Sequence, residues 1–230
     1  TEGFSGETPN QKRFVLPIQS LIIATEPLSN DLWQEIGLND NETFGDASRL
    51  STYGQRTADN RLVFGARGSY QFGGKTKTRF EDSAETFDSI DKLLRESLPM
   101  LATADIPHRW GGTLGMTRTG APHALFDKQT GVGYAGGYGG EGVGASNLMA
   151  RTLVDLVLQR NTDLVDMPWA YHGTLKQHIK RWEPEPLRWL GYSSILNVLE
   201  YEEKVLNNPQ SPRWKRRTVN HVASAAIGLM

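Results

Sequence analysis

Eight of the fourteen residues from Gly131 to Gly144 are glycine, within the run VGYAGGYGGEGVGASNLM that extends from Val132 to Met149. Positions without a Cβ let backbone approach a flat or anionic group closely. Gly137, Gly139 and Gly142 also stand at the G-x-G-x-x-G spacing of a dinucleotide-binding turn. That reading needs a parallel strand before the glycines, a helix after them, and a second parallel strand ending in an acidic residue roughly 20 positions on. The helix is there, but NTDLVDMPWAYHG, which follows Arg160, is too short and broken for a buried parallel strand. The strand before the glycines reads as the second arm of a hairpin, which belongs to an antiparallel sheet. Two readings remain on these residues: a tight β-to-α turn in which glycine serves close packing, or a turn whose helix, from about Val143 on, offers unpaired N–H groups to an anion or an electron-rich ring edge.

The rest of the chain predicts an α+β fold, a mostly antiparallel sheet with flanking helices, completed by the strand, glycine turn and helix. RFVLPIQSLIIATE, from Arg13 to Glu26, has the branched and aromatic content of a long strand, and Pro17 suggests an edge or a bulge. Ser29 or Asn30 can cap a helix through Ile36 that Gly37 ends. RLSTYGQRT and RLVFGARG alternate as a hairpin around ADN. Ala84, Phe87, Ile90, Leu93, Leu94 and Leu98 recur at helical spacing, closed by Pro99. HRWGGTLGMT is a strand, and PHALFDKQTGVGYAG is two strands around a turn at 127–131. After the glycines, Ala145, Leu148, Met149, Thr152, Leu153, Leu156 and Val157 share one helical face, with Arg151, Asp155 and Gln159 opposite.

The last third is dense in Trp and Pro. Pro184 and Pro186 predict an extended strap, Ile195–Leu206 a helix, and NNPQSPRWKRR a loop. The expected organisation is a linker over 1–11, a substrate-binding sheet domain over 12–122, a strand-turn-helix over 123–160, and a strap with a helical extension over 161–230. The polar opening TEGFSGETPNQK reads as a linker from a preceding half.

Composition excludes several classes. With no cysteine there is no disulfide, thiolate nucleophile or Cys-based metal site, which fits a cytoplasmic location. A net charge of -1 gives no global field for nucleic acid or an anionic membrane, so neither partner is expected. The five histidines are scattered without an H-x-x-x-H or HExxH pair, so no metal site is expected. PRWKRR, one aromatic among basic residues, reads as solvated surface. Trp182 and Trp189, if exposed, would offer a homo-oligomeric contact.

RWGGTLGMTRTGAPHALFDKQTGVGYAGGYGGEGVGASNLMARTLVDLVL resembles the C-terminal part of the flavin-dependent oxidoreductases of the D-amino-acid oxidase and glycine oxidase superfamily. IIATEPL, LVFGARG and RWEPEPLRWLG are similar to bacterial amine-oxidising members of it. The resemblance implies that FAD is the cofactor of the complete protein, held mainly by an N-terminal half that this chain lacks, and that the fragment alone neither holds FAD tightly nor turns over. It places Gly139, Gly140, Glu141, Gly142 and Val143 against the flavin's pyrimidine edge. It further implies hydride transfer to FAD from the carbon beside the nitrogen of a small amine or amino-acid substrate. Many relatives carry histidine where this chain has Glu141, whose alternative role is an acid at a helix start.

Arg67 could fork onto a substrate carboxylate, and Arg118 is a second candidate for it; each could equally be an arginine paired with an acid at the sheet's rim. Tyr70, Phe72 and Trp110 could wall an amine site or belong to the core. No residue of the chain stands out as catalytic. The rival reading is a non-catalytic ligand-binding or assembly module.

Overall fold

The computed structural model describes residues 2–8, 11–40, 42–81 and 83–228, with the backbone alone at residues 67 and 68. Its centre is β1 (Val15–Ala24), whose residues are almost all buried. β1 lies inside a five-stranded antiparallel sheet with β2 (Thr43–Gly45), β3 (Thr52–Arg56), β4 (Leu62–Tyr70) and β5 (His108–Thr117), in the order β2-β3-β4-β1-β5. Pro17 is therefore not on an edge strand. The β1–β4 register ends at Ile18↔Tyr70, with an irregularity between Ile18 and Ser20, whereas β5 continues alongside to Val15↔Thr117. At Pro17 the strand has a neighbour on one side only, which is where a residue without an N–H is tolerated.

One face of this sheet is covered. Leu21, Ile23, Leu62 and Phe64 pack under α1 (Asn30–Ile36) and α2 (Ala84–Ser97), which contribute Trp33 from the first and Phe87, Ile90 and Leu94 from the second. Each such fully buried side chain contributes roughly 1.5–3 kcal/mol. The predicted cap of α1 is present: the Leu32 N–H donates to Ser29 Oγ at 3.3 Å, and Gly37, at φ 83°, donates its N–H to Trp33 O.

The second sheet, in the order β7-β6-β8, is smaller. β6 (His123–Asp127) and β7 (Val132–Gly136) form the expected hairpin. β8 (Ala170–His172) pairs parallel to β6 inside the stretch judged too broken for a parallel strand. Three residues suffice because Trp169 O accepts the Ala124 N–H and Phe126 O accepts the Gly173 N–H, which extends the ladder at both ends. β7 runs antiparallel to β6, so β7 and β8 are antiparallel to each other, and the unit is not the parallel crossover of a dinucleotide fold.

α3 (Gly142–Leu158) lies on this sheet through Met149, Thr152 and Leu156. Two residues depart from the expected faces. Asp155 is buried, since its carboxylate accepts the Thr162 hydroxyl at 2.8 Å and an Arg160 N–H at 3.3 Å as the chain leaves the helix. Val157 is exposed.

Beyond α4 (Leu175–His178) the strap crosses the first sheet at Trp182, which is buried rather than exposed and donates Nε1–H to Met116 O at 2.9 Å. The predicted extended path stops early, because α5 spans Leu187–Leu206 and so starts well before Ile195. Proline is tolerated in a first helical turn, where its missing N–H would have no partner. Here Pro184 O and Pro186 O accept the Arg188 and Leu190 N–H groups, while Glu185 Oε2 accepts the N–H of Trp189. The same logic corrects the last loop: α6 (Arg213–Gly228) begins directly after Pro212, whose carbonyl accepts the Arg216 N–H, so PRWKRR lies mostly on a helix. Among the described residues no helix is long and apolar enough to cross a membrane.

Candidate functional site

The second face of the five-stranded sheet is covered at one end and open at the other. Leu16, Ile18, Tyr70 and Tyr192 cluster under α5 with Trp182. Towards the other end, the register aligns Tyr53, Gly65, Ile22 and Trp110 in one row across four strands, with Ser20 and Gly112 in the next. Tyr53 is 41% and Trp110 42% exposed, and a Cβ on Gly112 would meet nothing within 4 Å. Tyr53 Oη and Ser20 Oγ are 3.0 Å apart, a pair of hydroxyls above an apolar floor. The Tyr53 ring lies so close over Gly65 that a Cβ there would sit 2.4 Å from its Cζ. Glycine at 65 is therefore a condition of the ring's position.

The glycine turn borders this face. Its chain reverses through Gly137, Gly139 and Gly140 at φ 78°, 59° and 123°. The Gly139 N–H donates to Gly115 O of β5 at 2.9 Å, and a Cβ on Gly140 would lie 3.9 Å from Leu114 Cδ1. The Tyr138 N–H donates to Glu2 Oε1 at 2.9 Å, and burial holds the Glu2 carboxyl above the usual carboxylate range despite that bond. Glu141 occupies the N-cap of α3 with an exposed side chain that makes no capping bond. The first turn of α3 thus presents its N–H groups without a side chain on them. Val143 beside it is 98% exposed, and Cβ atoms on Gly139 or Gly144 would meet nothing within 4 Å. A planar electron-rich edge fits between these side chains: the glycines leave the backbone N–H groups of the helix start approachable, and no side chain makes a capping bond to them.

The expected substrate residues do not form one cluster. Trp110 is at the open end of β5, beside a cavity of about 390 Å³ that Arg79, Phe80 and Phe87 also line. Arg118 lies just past the other end; at ~3.3 Å per residue the eight steps between them span about 26 Å. Its Nε is 3.3 Å from both Glu183 carboxylate oxygens, and its guanidinium stacks 5.1 Å from the Trp182 ring centre. Against its desolvation, the Glu183 backbone N–H first and the Arg118 guanidinium second hold the Glu183 carboxyl below its ordinary value. Tyr70 is buried under α5 and donates its hydroxyl to Glu185 Oε1, so burial first and that bond second push its pKa up. Phe72 is exposed and meets Trp189 edge-on at 6.1 Å. Arg67 stands opposite Ser20 in the β1–β4 register; its side chain lies outside the described residues. Ser20 and Tyr53 were not singled out in the sequence. The signal was the alternation of Thr52, Tyr53 and Gly54, which puts Tyr53 on the face opposite the core.

The mostly antiparallel sheet with flanking helices is a fold shared with oxidases of known structure, and comparisons with known proteins give the family. The chain belongs to the FAD-dependent oxidoreductase family, whose model, FAD dependent oxidoreductase (DAO), matches residues 1–156. It is 31% identical over 172 residues to the probable oxidoreductase OrdL of Haemophilus influenzae, covering 71% of this chain and 36% of that protein. It is 31% identical over 150 residues to the gamma-glutamylputrescine oxidoreductase of Escherichia coli, covering 65% of this chain and 33% of that one. The chain thus spans about a third of the length of these relatives. Among solved structures, glycine oxidase from Geobacillus kaustophilus shares the fold with a TM-score of 0.58 at 18% identity, covering 74% of this chain and 43% of that one. Iminodiacetate oxidase from Chelativorans sp. BNC1 does so with a TM-score of 0.54 at 17% identity, covering 74% and 44%.

Proposed function

We propose that this chain is the substrate-facing part of a flavin-dependent oxidoreductase that oxidises a C–N bond of a small amine or amino acid, with FAD held chiefly by a preceding half of the protein. The observation that carries the proposal is the open sheet face bordered by an unobstructed α3 N-terminus. When bound, FAD would supply the oxidising chemistry, a two-electron acceptor for conversion of an amine to an imine that water hydrolyses. The chain's own residues orient and polarise. The N–H groups from Gly142 to Gly144 would favour negative charge on a cofactor edge set against them, by up to ~1 kcal/mol at this exposed helix start. Gly139 and Gly140 let that edge come close, and Glu141, with its side chain in solvent, does not oppose the charge there.

On the substrate side, Trp110 and Ile22 give an apolar floor, and the Tyr53–Ser20 hydroxyl pair donates to or accepts from a polar substrate group. Arg67, one register step from Tyr53's row, is the residue proposed to fork onto a carboxylate. Arg118, Tyr70 and Phe72, at the strap end, would act on substrate only through a ligand reaching beneath α5.

The test is the visible spectrum of protein expressed from the whole reading frame, recorded before and after anaerobic addition of amines and D-amino acids. Flavin bands that bleach with one compound class support the reading. A colourless protein that takes up no FAD overturns it.

A further inference from the structure

A second cavity, of about 600 Å³, lies between the β2–β3 hairpin and the α5–α6 pair. Asp46, Arg49, Glu202 and Glu203 are the charged residues of its wall, which Asn207 and Asn220 complete with amides. Glu202 is only 2% exposed. One of its oxygens is met by Arg49 Nε at 2.8 Å; the other, Oε1, is buried with no hydrogen-bond partner among the described residues, as is Glu203 Oε1. Asp46 is held differently, accepting the Thr52 N–H at 2.9 Å and the Ser48 hydroxyl at 2.8 Å.

Three carboxylates against one guanidinium leave the wall with an excess of negative charge, part of it on oxygens that neither solvent nor protein hydrates. Buried carboxylate without a donor is costly, and such orphan groups in native proteins are commonly explained by an unseen cation or water. Burial raises the Glu203 pKa, with repulsion from Asp46 and Glu200 behind it, although the Ser48 side chain and the Leu50 N–H act on the same carboxylate in the opposite sense.

We propose that this cavity binds a small organic cation carrying primary ammonium groups, with Glu202 and Glu203 accepting its N–H donors. An ammonium supplies three donors to oxygens that lack them. The volume exceeds what a bare metal ion needs and lies within the range of small-molecule sites. No group of three or more His, Cys, Asp or Glu side chains able to hold a metal exists among the described residues. The site is distinct from the open sheet face and does not depend on the flavin reading.

The experiment is calorimetric titration of the chain with 1,3-diaminopropane, with 1,3-propanediol and ionic-strength-matched NaCl as controls. Saturable binding of the diamine alone is expected, weakened at least tenfold in Glu203→Gln, which has no ion pair to break. Asn220→Lys, which tethers an ammonium in the cavity, should abolish diamine binding and raise the melting temperature. Equal behaviour of diamine, diol and salt would overturn the proposal. So would a Glu203→Gln protein that melts like the parent and binds the diamine unchanged.

Discussion

Tyr53 Oη and Ser20 Oγ approach to 3.0 Å across two strands that are not neighbours, because β4 between them carries Gly65 beneath the tyrosine ring. In the whole protein, Tyr53→Phe should raise KM for the oxidised amine roughly fivefold, about 1 kcal/mol, while leaving kcat nearly unchanged. Steady-state kinetics with a fixed electron acceptor checks this; an unchanged KM removes Tyr53 from the substrate site. Gly65→Ala should reproduce the effect by displacing the ring.

Gly142 opens α3, and a Cβ there would come no nearer than 3.7 Å to Tyr138. Replacing it with leucine should therefore leave the fold intact and even add about 0.5 kcal/mol of helix propensity. On the proposed reading, FAD retention by the whole protein should nonetheless fall at least tenfold, because the bulky side chain would stand where the cofactor edge is proposed to lie. Equilibrium dialysis alongside a urea titration separates the two effects; undiminished retention contradicts the assignment of this turn.

His123 is buried at the foot of the glycine turn, and burial pushes its pKa down to about 4. The unfolded chain takes up a proton near pH 6.5, the folded one only near 4, so stability is full above 6.5 and is lost as pH falls towards 4. The loss from this group between pH 7 and pH 5 is about 2 kcal/mol. Glu2 and Glu203, whose pKa values are raised, work in the opposite sense and partly offset it. Denaturant unfolding at the two pH values should show a drop that His123→Phe removes.

Trp182 ties the strap to β5 through its bond to Met116 O and its packing on Leu16 and Ile18. Trp182→Ala should cost about 3–5 kcal/mol of unfolding free energy. A cost under 1 kcal/mol would mean that the strap adds little to the sheet.

The elements that the sequence made legible are those whose signal is local. Alternation produced β3, β4 and β5, a serine and a glycine bounded α1, and Asp127 to Gly131 marked the turn of the β6–β7 hairpin. What escaped depends on partners distant in sequence. β8 exists because β6 offers it a ladder, and in the first turn of α5 the Trp189 N–H finds an acceptor in the Glu185 carboxylate, so two prolines that read as an extended path instead precede a helix. The family resemblance came through the glycine turn and the strand before it, where glycine is required by geometry. The hydroxyl pair was not legible, since Ser20 and Tyr53 meet only once β4 lies between them.

The hydrogen bond from Gly139 to Gly115 makes β5 a shared border: one edge pairs with β1, and the other is touched by the turn of the second sheet. Phe14 and Val15, at the start of β1, likewise cluster with Tyr134 of β7 and Leu175 of α4. A gene cut at the short link before His123 would therefore yield two pieces that each keep most of a sheet and lose part of its seam. Attempts to graft the glycine turn onto another scaffold have to carry β5 with it.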